Sequence, residues 1–110
     1  MMQVSEAEWS AQEKQIAQTA LIEAQSREID GLVQLIREKA SKVDDISDVW
    51  RLNDFLSARR FDIDGKYDDS EGETLFVLAR LAKEGWVKTA DLQGLDAAKL
   101  AKIAALTRIL

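Results

Sequence analysis

Apolar residues recur with a helical period over a long stretch near the N-terminus. Ser10 and Glu13 have the spacing of a capping box, in which a hydroxyl and a carboxylate satisfy free amides at a helix start. Ser5 begins an alternative box of the same form. The pattern continues past the isolated Gly31, which costs only about 1 kcal/mol inside a helix. It predicts one helix from about residue 11 to about residue 42.

The length of this helix favours a dimer. A helix of about 30 residues is roughly 45–50 Å long, whereas a compact chain of this size has a radius of gyration of about 13 Å. The helix must therefore project past its own core, yet its apolar stripe continues. The stripe has β-branched residues at intervals of seven, which favours two-stranded pairing, and these are Ile22, Ile29, Ile36 and Val43. Val33 broadens the stripe. The stripe could instead fold back onto later helices of the same chain. We expect both uses, with its later part in a homodimer interface.

A second helix is predicted from about Asp48 to Ile63, after a short acidic segment that supplies caps. Its core stripe is formed by Val49, Leu52, Leu56 and Ile63. The polar stretch 62–69 is predicted as a turn. It resembles a calcium loop, but Lys66 stands where the third ligand would be, so we expect no calcium site.

Two aromatic residues of the second helix lie away from that core stripe. Trp50, Asp54 and Phe61 share a face roughly 140–180° from it, where aromatics either pack on another element or are exposed for a partner. Asp54 and Arg60 are about 120° apart around the helix, so they cannot form an i,i+3 or i,i+4 ion pair. An ion pair between them would need another helix or another subunit.

The last third of the chain predicts short helices. Ser70 and Glu73 have capping-box spacing before a helix over about 71–84, which Gly85 would end. A single turn and a last helix over about 97–108, capped by Asp96, follow. The residues expected to face inward are Leu75, Leu78, Leu81 and Ala82 in the first of these helices, and Leu100, Ile103, Ala104 and Leu106 in the last. The predicted fold is all-α and a single domain of 1–110, with a dimeric stalk over about 1–65 and a small helical head over about 66–110.

Composition narrows the function. The 110 residues include no proline, cysteine or histidine. The lack of proline agrees with long helices. Without cysteine and histidine, the thiol nucleophile, the commonest general base and the commonest metal ligand are missing. No glycine-rich phosphate loop and no carboxylate pair on an apolar surface is found, so we expect no enzyme, no metal and no cofactor.

Charge and hydropathy also limit the partners. The formal net charge is −5, so we expect no general attraction to nucleic acid and no direct membrane insertion. Lys99, Lys102 and Arg108 gather near the C-terminus, where they could meet an acidic partner or complement a helix dipole. No apolar run approaches a membrane span, and the N-terminus lacks a secretory pattern. We expect a soluble, cytoplasmic protein.

One stretch carries a specific motif. It reads Trp-x-Leu-x-Asp-Phe-Leu-Ser-Ala-x-Arg over 50–60 and Ile-Asp-Gly-Lys-Tyr-Asp-Asp over 63–69. This stretch resembles the fluorescence recovery protein family of cyanobacteria, and the likeness continues through Phe76 and Lys-Glu-Gly-x-Val over 83–87. The resemblance implies an all-helical, dimeric regulator that catalyses no covalent change.

The resemblance also implies a partner. Members of this family bind the photoactivated, red form of the orange carotenoid protein, mainly through its C-terminal domain. They speed its return to the orange form and help detach it from the phycobilisome, so that quenching ends and antenna fluorescence recovers. The carotenoid belongs to the partner. The alternative is a dimeric helical adaptor of the same family that acts on another protein in a host without phycobilisomes.

The family's functional positions are present in this sequence. Its essential patch corresponds to Trp50, Asp54 and Arg60, and its head contacts correspond to Phe76 and Lys102. Its dimer contacts fall at Val33, Val43 and Val49, where other members carry Leu or Ile. Asn53 is a departure, because some members have His there.

Overall fold

The structure, a computed structural model, describes residues 9–67 and 73–110. Within these ranges the chain forms four α-helices and one short 3₁₀ turn and no strand, which confirms the all-α prediction. The helices are α1 (Ala11–Ala40), α2 (Ile46–Lys66), α3 (Thr74–Glu84) and α4 (Ala97–Ile109), and the 3₁₀ turn spans Thr89–Leu92.

The first helix begins at the favoured capping box. The Glu13 amide donates to Ser10 Oγ at 3.0 Å, and the Ser10 amide donates to Glu13 Oε1 at 3.0 Å. The alternative start at Ser5 lies outside the described residues. Because α1 is 30 residues long, the molecule measures 55 × 27 × 24 Å with a radius of gyration of 16.9 Å, well above that of a compact chain.

The apolar core lies between the first half of α1 and the C-terminal elements, from α3 to α4. We call these C-terminal elements the head. On α1 the buried positions are small side chains, Ala17, Ala20 and Ala24, which let the backbones approach closely. On α3 the predicted Leu75, Leu78 and Leu81 are all buried. The core is completed by Trp9, Ala79, Val87, Leu92, Leu95 and Ile103.

Polar contacts also tie α1 to the head. The Asp96 amide donates to Glu13 Oε2 at 2.9 Å, and Lys99 Nζ donates to Glu13 Oε1 at 3.2 Å. Further along α1, Arg27 Nη1 donates to the carbonyl of Trp86 and to Asp91 Oδ2, both at 2.7 Å. Charged hydrogen bonds thus hold the 3₁₀ turn and the start of α4 on one side of α1.

The second helix is longer than predicted at both ends. Its cap is Asp45, which forms a capping box with Asp48, so the helix begins at Ile46 rather than at Asp48. Residues 62–66, predicted as part of a turn, are helical, because Lys66 finds hydrogen-bond partners on α1 and α3. Asp68 and Asp69 lie outside the described residues. Val49, expected in the core stripe, is 40% exposed.

The C-terminal elements follow the predicted order. Gly85 ends α3 in the left-handed region with φ 90°, as expected for this glycine, while Ser70 lies outside the described residues. Asp96 caps α4 by accepting from the Lys99 amide at 2.8 Å. Two inward assignments were wrong: Leu100 and Ala104 are exposed, because α4 packs on α3 along a narrower line through Ile103 and Leu106.

No helix among the described residues is both long and apolar enough to cross a membrane.

Candidate protein-interaction site

The predicted patch of Trp50, Asp54 and Arg60 lies on α2, and all three side chains are exposed. Trp50 is 59% exposed, and Phe61, three turns further on, is 84% exposed. Asp54 and Arg60 are also exposed. We call the exposed set Ile46, Trp50, Asp54, Arg60 and Phe61 the α2 face. Large apolar side chains left in water on one helix are typical of an interaction surface.

The charges of the α2 face are weakly held within the chain. Arg60 Nε lies 3.8 Å from Asp64 Oδ2, one turn on, and both side chains are more than two-thirds exposed. Such a surface pair contributes little, about 0–1 kcal/mol. Within the described residues Asp54 forms no ion pair, in agreement with the expectation that it cannot reach Arg60 on the same helix. Both groups therefore remain available to another molecule.

The predicted dimer positions lie on the second half of α1, in the connection to α2 and at the start of α2. Ile29, Val33 and Val49 are each about 40% exposed, and Ile36 and Val43 are half-buried. Ile22 is 62% exposed. The β-branched stripe therefore does not fold back onto the head, whose core uses the alanine side of α1 instead.

The predicted head contacts lie on two neighbouring helices. Phe76 on α3 is 43% exposed, and Lys102 on α4 is exposed. Leu100 and Ile109 on α4 are exposed as well. The head therefore exposes apolar and basic side chains that are separate in sequence from the α2 face.

The sequence patterns did not predict one set of charged and polar residues. We call this set the Glu28 cluster, and it consists of Glu28, Arg59, Lys66, Tyr67 and Glu84. Glu28 is 1% exposed and accepts from Lys66 Nζ at 2.8 Å, the Tyr67 hydroxyl at 2.9 Å and Arg59 Nη2 at 3.3 Å. Lys66 Nζ also donates to Glu84 Oε1 at 2.7 Å. Burial, reinforced by the bond to Glu28, raises the pKa of the Tyr67 hydroxyl.

A sequence signal for Glu28 was present. Glu28 continues the helical spacing of Ala17, Ala20 and Ala24, so this residue occupies the next buried position on the same face of α1. A carboxylate at a core position implies charged partners, because an unpaired buried charge is strongly unfavourable. Those partners could not be identified from the sequence, since they come from α2 and α3.

The described residues offer little to a small ligand or a metal. A shallow cleft of about 200 Å³ lies between the end of α1 and the start of α2, beside Lys39, Arg51 and Phe55. It is smaller than typical ligand pockets, which run to roughly 300–1,000 Å³. No three acidic side chains in the described ranges are grouped so as to hold a metal ion.

Comparison with known proteins agrees with an all-helical regulatory class. A family model described as "Photoprotection regulator fluorescence recovery protein" matches residues 9–107. The chain therefore belongs to the fluorescence recovery protein family, a family of photoprotection regulators. This confirms the resemblance drawn from residues 48–69.

Individual relatives cover nearly the whole chain. The Fluorescence recovery protein of Synechocystis sp. (strain ATCC 27184 / PCC 6803 / Kazusa) is 47% identical over 109 residues, covering 99% of this chain and 100% of that protein. The solved structure of the Fremyella diplosiphon Fluorescence Recovery Protein is 46% identical, with a TM-score of 0.85 over 91% of this chain and 98% of that chain. The Synechocystis structure gives a TM-score of 0.85 at 47% identity over the same shares.

Proposed function

We propose that this protein binds the photoactivated, red form of the orange carotenoid protein, accelerates its return to the orange form and promotes its detachment from the phycobilisome. Photoprotective quenching would then end and antenna fluorescence would recover. The observation that carries the proposal is the α2 face: aromatic and charged side chains that the chain itself leaves unburied, on a member of this family. The protein acts by binding and needs no cofactor.

The α2 face has the composition of an energetic centre of a protein interface. Trp and Arg are the residue types that most often dominate binding energy. The planar Arg60 guanidinium, weakly held by Asp64, can form two parallel hydrogen bonds with a carboxylate of the partner. Trp50 and Phe61 offer apolar area whose burial would supply most of the affinity.

The second surface, around Phe76 and Lys102, supports a two-site mode of action. A protein that holds two separated domains of its partner raises their concentration near each other and so speeds their reassociation. The acceleration requires tighter binding to states that lie toward the closed form than to the open one. Two surfaces on separate helices provide the two points of attachment.

We propose that the protein acts as a homodimer whose interface includes Ile29, Val33, Ile36, Val43 and Val49. All five lie on the stalk formed by the second half of α1, the connection to α2 and the first part of α2, and three of them are about 40% exposed in the single chain. Covering such a seam would remove apolar area from water without altering the head.

The first experiment tests the α2 face. Purified protein is mixed with photoactivated orange carotenoid protein, and the return of the orange absorption spectrum is timed in the dark. We expect Arg60→Glu to abolish the acceleration while its helical circular dichroism and dimer mass are unchanged, because charge reversal adds repulsion to a lost contact. Arg51→Glu is the matched control on the same helix and should remain active.

The outcomes separate the alternatives. An unfolded Arg60→Glu variant, or one as active as the parent, would mean that the role of Arg60 is misassigned. If the parent protein captures neither the red nor the orange form, it is an adaptor for a different protein, and the specific partner proposed above is wrong.

The second experiment tests the dimer. Val33→Glu should give a chain of 12.3 kDa by light scattering where the parent gives about twice that mass. A carboxylate buried in an apolar seam costs several kcal/mol unless it is paired. Gln34→Glu, at an exposed neighbouring position, should leave the mass unchanged. A parent of monomer mass at micromolar concentration would contradict the homodimer.

A further inference from the structure

The C-terminal end of α2 is attached to the rest of the molecule mainly by charged groups. None of the buried residues of the apolar core comes from α2. Within α2, all of which is described, Ile63 is the only buried apolar side chain, and the other buried residue is Lys66. The head, by contrast, is joined through leucine and alanine side chains.

Lys66 is the centre of that attachment. Its ammonium lies between two carboxylates, with Glu28 Oε2 on α1 at 2.8 Å and Glu84 Oε1 on α3 at 2.7 Å. A parallel link joins Arg80 Nη2 on α3 to Asp62 Oδ1 on α2 at 3.1 Å. The last turn of α2 is therefore fixed to both neighbouring helices by directional hydrogen bonds.

Such an attachment differs physically from apolar packing. Charged groups lose hydration when they form a buried ion pair. The net contribution of the pair to stability is therefore small compared with the electrostatic attraction between its two charges. If the C-terminal half of α2 leaves, the charges of the Glu28 cluster recover water, and the apolar surface exposed in exchange includes that of Ile63 and the Tyr67 ring. This opening exposes less apolar surface than separation of α3 from α4, which would expose the core residues of both helices.

We propose that the Glu28 cluster is a latch that sets the position of α2, and that releasing it lets the C-terminal half of α2 move away from α1 and α3 while the head stays folded. The latch thereby determines how the α2 face is oriented relative to the Phe76 and Lys102 surface. This inference goes beyond the proposed function and does not depend on the identity of the partner.

The experiment measures distances between spin labels. The chain has no cysteine, so two labels can be introduced at chosen exposed positions without background. The reporting pair is Ser57→Cys on α2 with Ala105→Cys on α4, and the reference pair is Gln18→Cys on α1 with Ala105→Cys. Labelled chains are diluted with unlabelled ones so that only distances within one chain are recorded.

Lys66→Met removes the ammonium but keeps a side chain of similar length. We expect it to broaden and lengthen the α2–α4 distances and to leave the α1–α4 distances unchanged. The amides of the last turn of α2 should exchange with deuterium roughly tenfold faster or more, because hydrogen bonds to charged groups have been lost. Arg51→Met, which breaks the exposed Arg51–Asp48 pair of 3.3 Å on the same helix, is the matched control and should change neither distance.

The latch proposal is wrong if Lys66→Met, while still helical, changes neither the α2–α4 nor the α1–α4 distances, or broadens both. Should Lys66→Met lose its helical circular dichroism, Glu28→Gln decides the question, because it keeps the Lys66–Glu84 bond. Broadening of the α2–α4 pair alone in Glu28→Gln supports the latch, and any other result with that variant overturns it.

Discussion

The head and α2 use similar apolar side chains in opposite ways. Leu78 and Leu81 of α3 are fully buried, whereas Trp50 and Phe61 of α2 are 59% and 84% exposed. Burying a large apolar side chain contributes roughly 1.5–3 kcal/mol to folding, so the leucines account for the stability of the head. Trp50 and Phe61 contribute less to the folded single chain, because much of each side chain stays in water.

The contrast extends to charged groups. Where α1 meets the head, Glu13, Arg27 and Lys99 are tied to fixed partners on other elements. On the α2 face, Arg60 has only a long contact with a neighbour on its own helix. Charges thus help to fix the head on α1, while Arg60 on the α2 face is only weakly held.

The largest expected difference comes from truncating one residue in each region. Leu78→Ala should lower the free energy of unfolding by about 2–5 kcal/mol, because it leaves a cavity in a closed core. Phe61→Ala should change it by less than about 0.5 kcal/mol, since the ring is already in water. Urea unfolding followed by circular dichroism measures both. Equal losses in the two variants would remove the distinction between head and α2 face.

A smaller difference is expected at two glycines. Gly94 in the head has φ 104°, and a Cβ added there would lie 2.5 Å from Ile16 Cδ1. Gly94→Ala should therefore destabilise the protein by about 1–3 kcal/mol. Gly65 lies inside α2 with no atom within 4 Å of an added Cβ, so Gly65→Ala should stabilise it by about 0.5–1 kcal/mol. Thermal unfolding compares the two, and a stabilising Gly94→Ala would contradict the described close approach.

The third prediction concerns loss of stability in acid through the carboxylates at the contact between α1 and the head. Hydrogen bonds from the Ser10 and Asp96 amides lower the pKa of Glu13 below its ordinary 4.5, and the Lys99 amide lowers that of Asp96 below 3.8. The guanidinium of Arg27 likewise lowers the pKa of Asp91 below 3.8. Because the folded values are depressed, this stability is present above the ordinary values and is lost as pH falls through the folded ones.

The measurement is the thermal midpoint between pH 7 and pH 2. It should fall below about pH 4, and Asp91→Asn should flatten that dependence because one of the shifted groups has been removed. An unchanged slope in Asp91→Asn would mean that the Arg27–Asp91 contact does not persist in solution.

Much of the fold could be predicted from local sequence signals. Ser10 and Asp96 act as caps because their side chains accept bonds from nearby amides, and Gly85 ends a helix because it adopts a positive φ. These are interactions within four residues. The burial of Leu75, Leu78 and Leu81 followed from their helical spacing. The exposure of Trp50 and Phe61 agreed with a face separate from the core stripe.

The predictions that failed all concerned residues whose contacts lie far away in the sequence. Lys66 looked like part of a polar turn because its partners, Glu28 and Glu84, are 38 and 18 residues away. Val49 was assigned to a core that is built without α2, and Leu100 lies beyond the line along which α4 meets α3. The alanine side of α1 was missed because larger β-branched residues gave the stronger pattern. The roles of Arg60, Phe76 and Lys102 came from the family resemblance, and exposure alone does not identify a partner.

The 30 residues of α1 run from the head into the stalk, and this continuity couples the unfolding of the head to that of the stalk. The first half of the helix is held by the head, while its second half continues out into the stalk. An isolated helix of about 15 residues is marginal in water, because nucleating a new helical turn is unfavourable. The outer half of α1 is therefore elongated from a nucleus that the head maintains. Melting of the head would withdraw that nucleus, so helicity far from the core would be lost in the same cooperative transition.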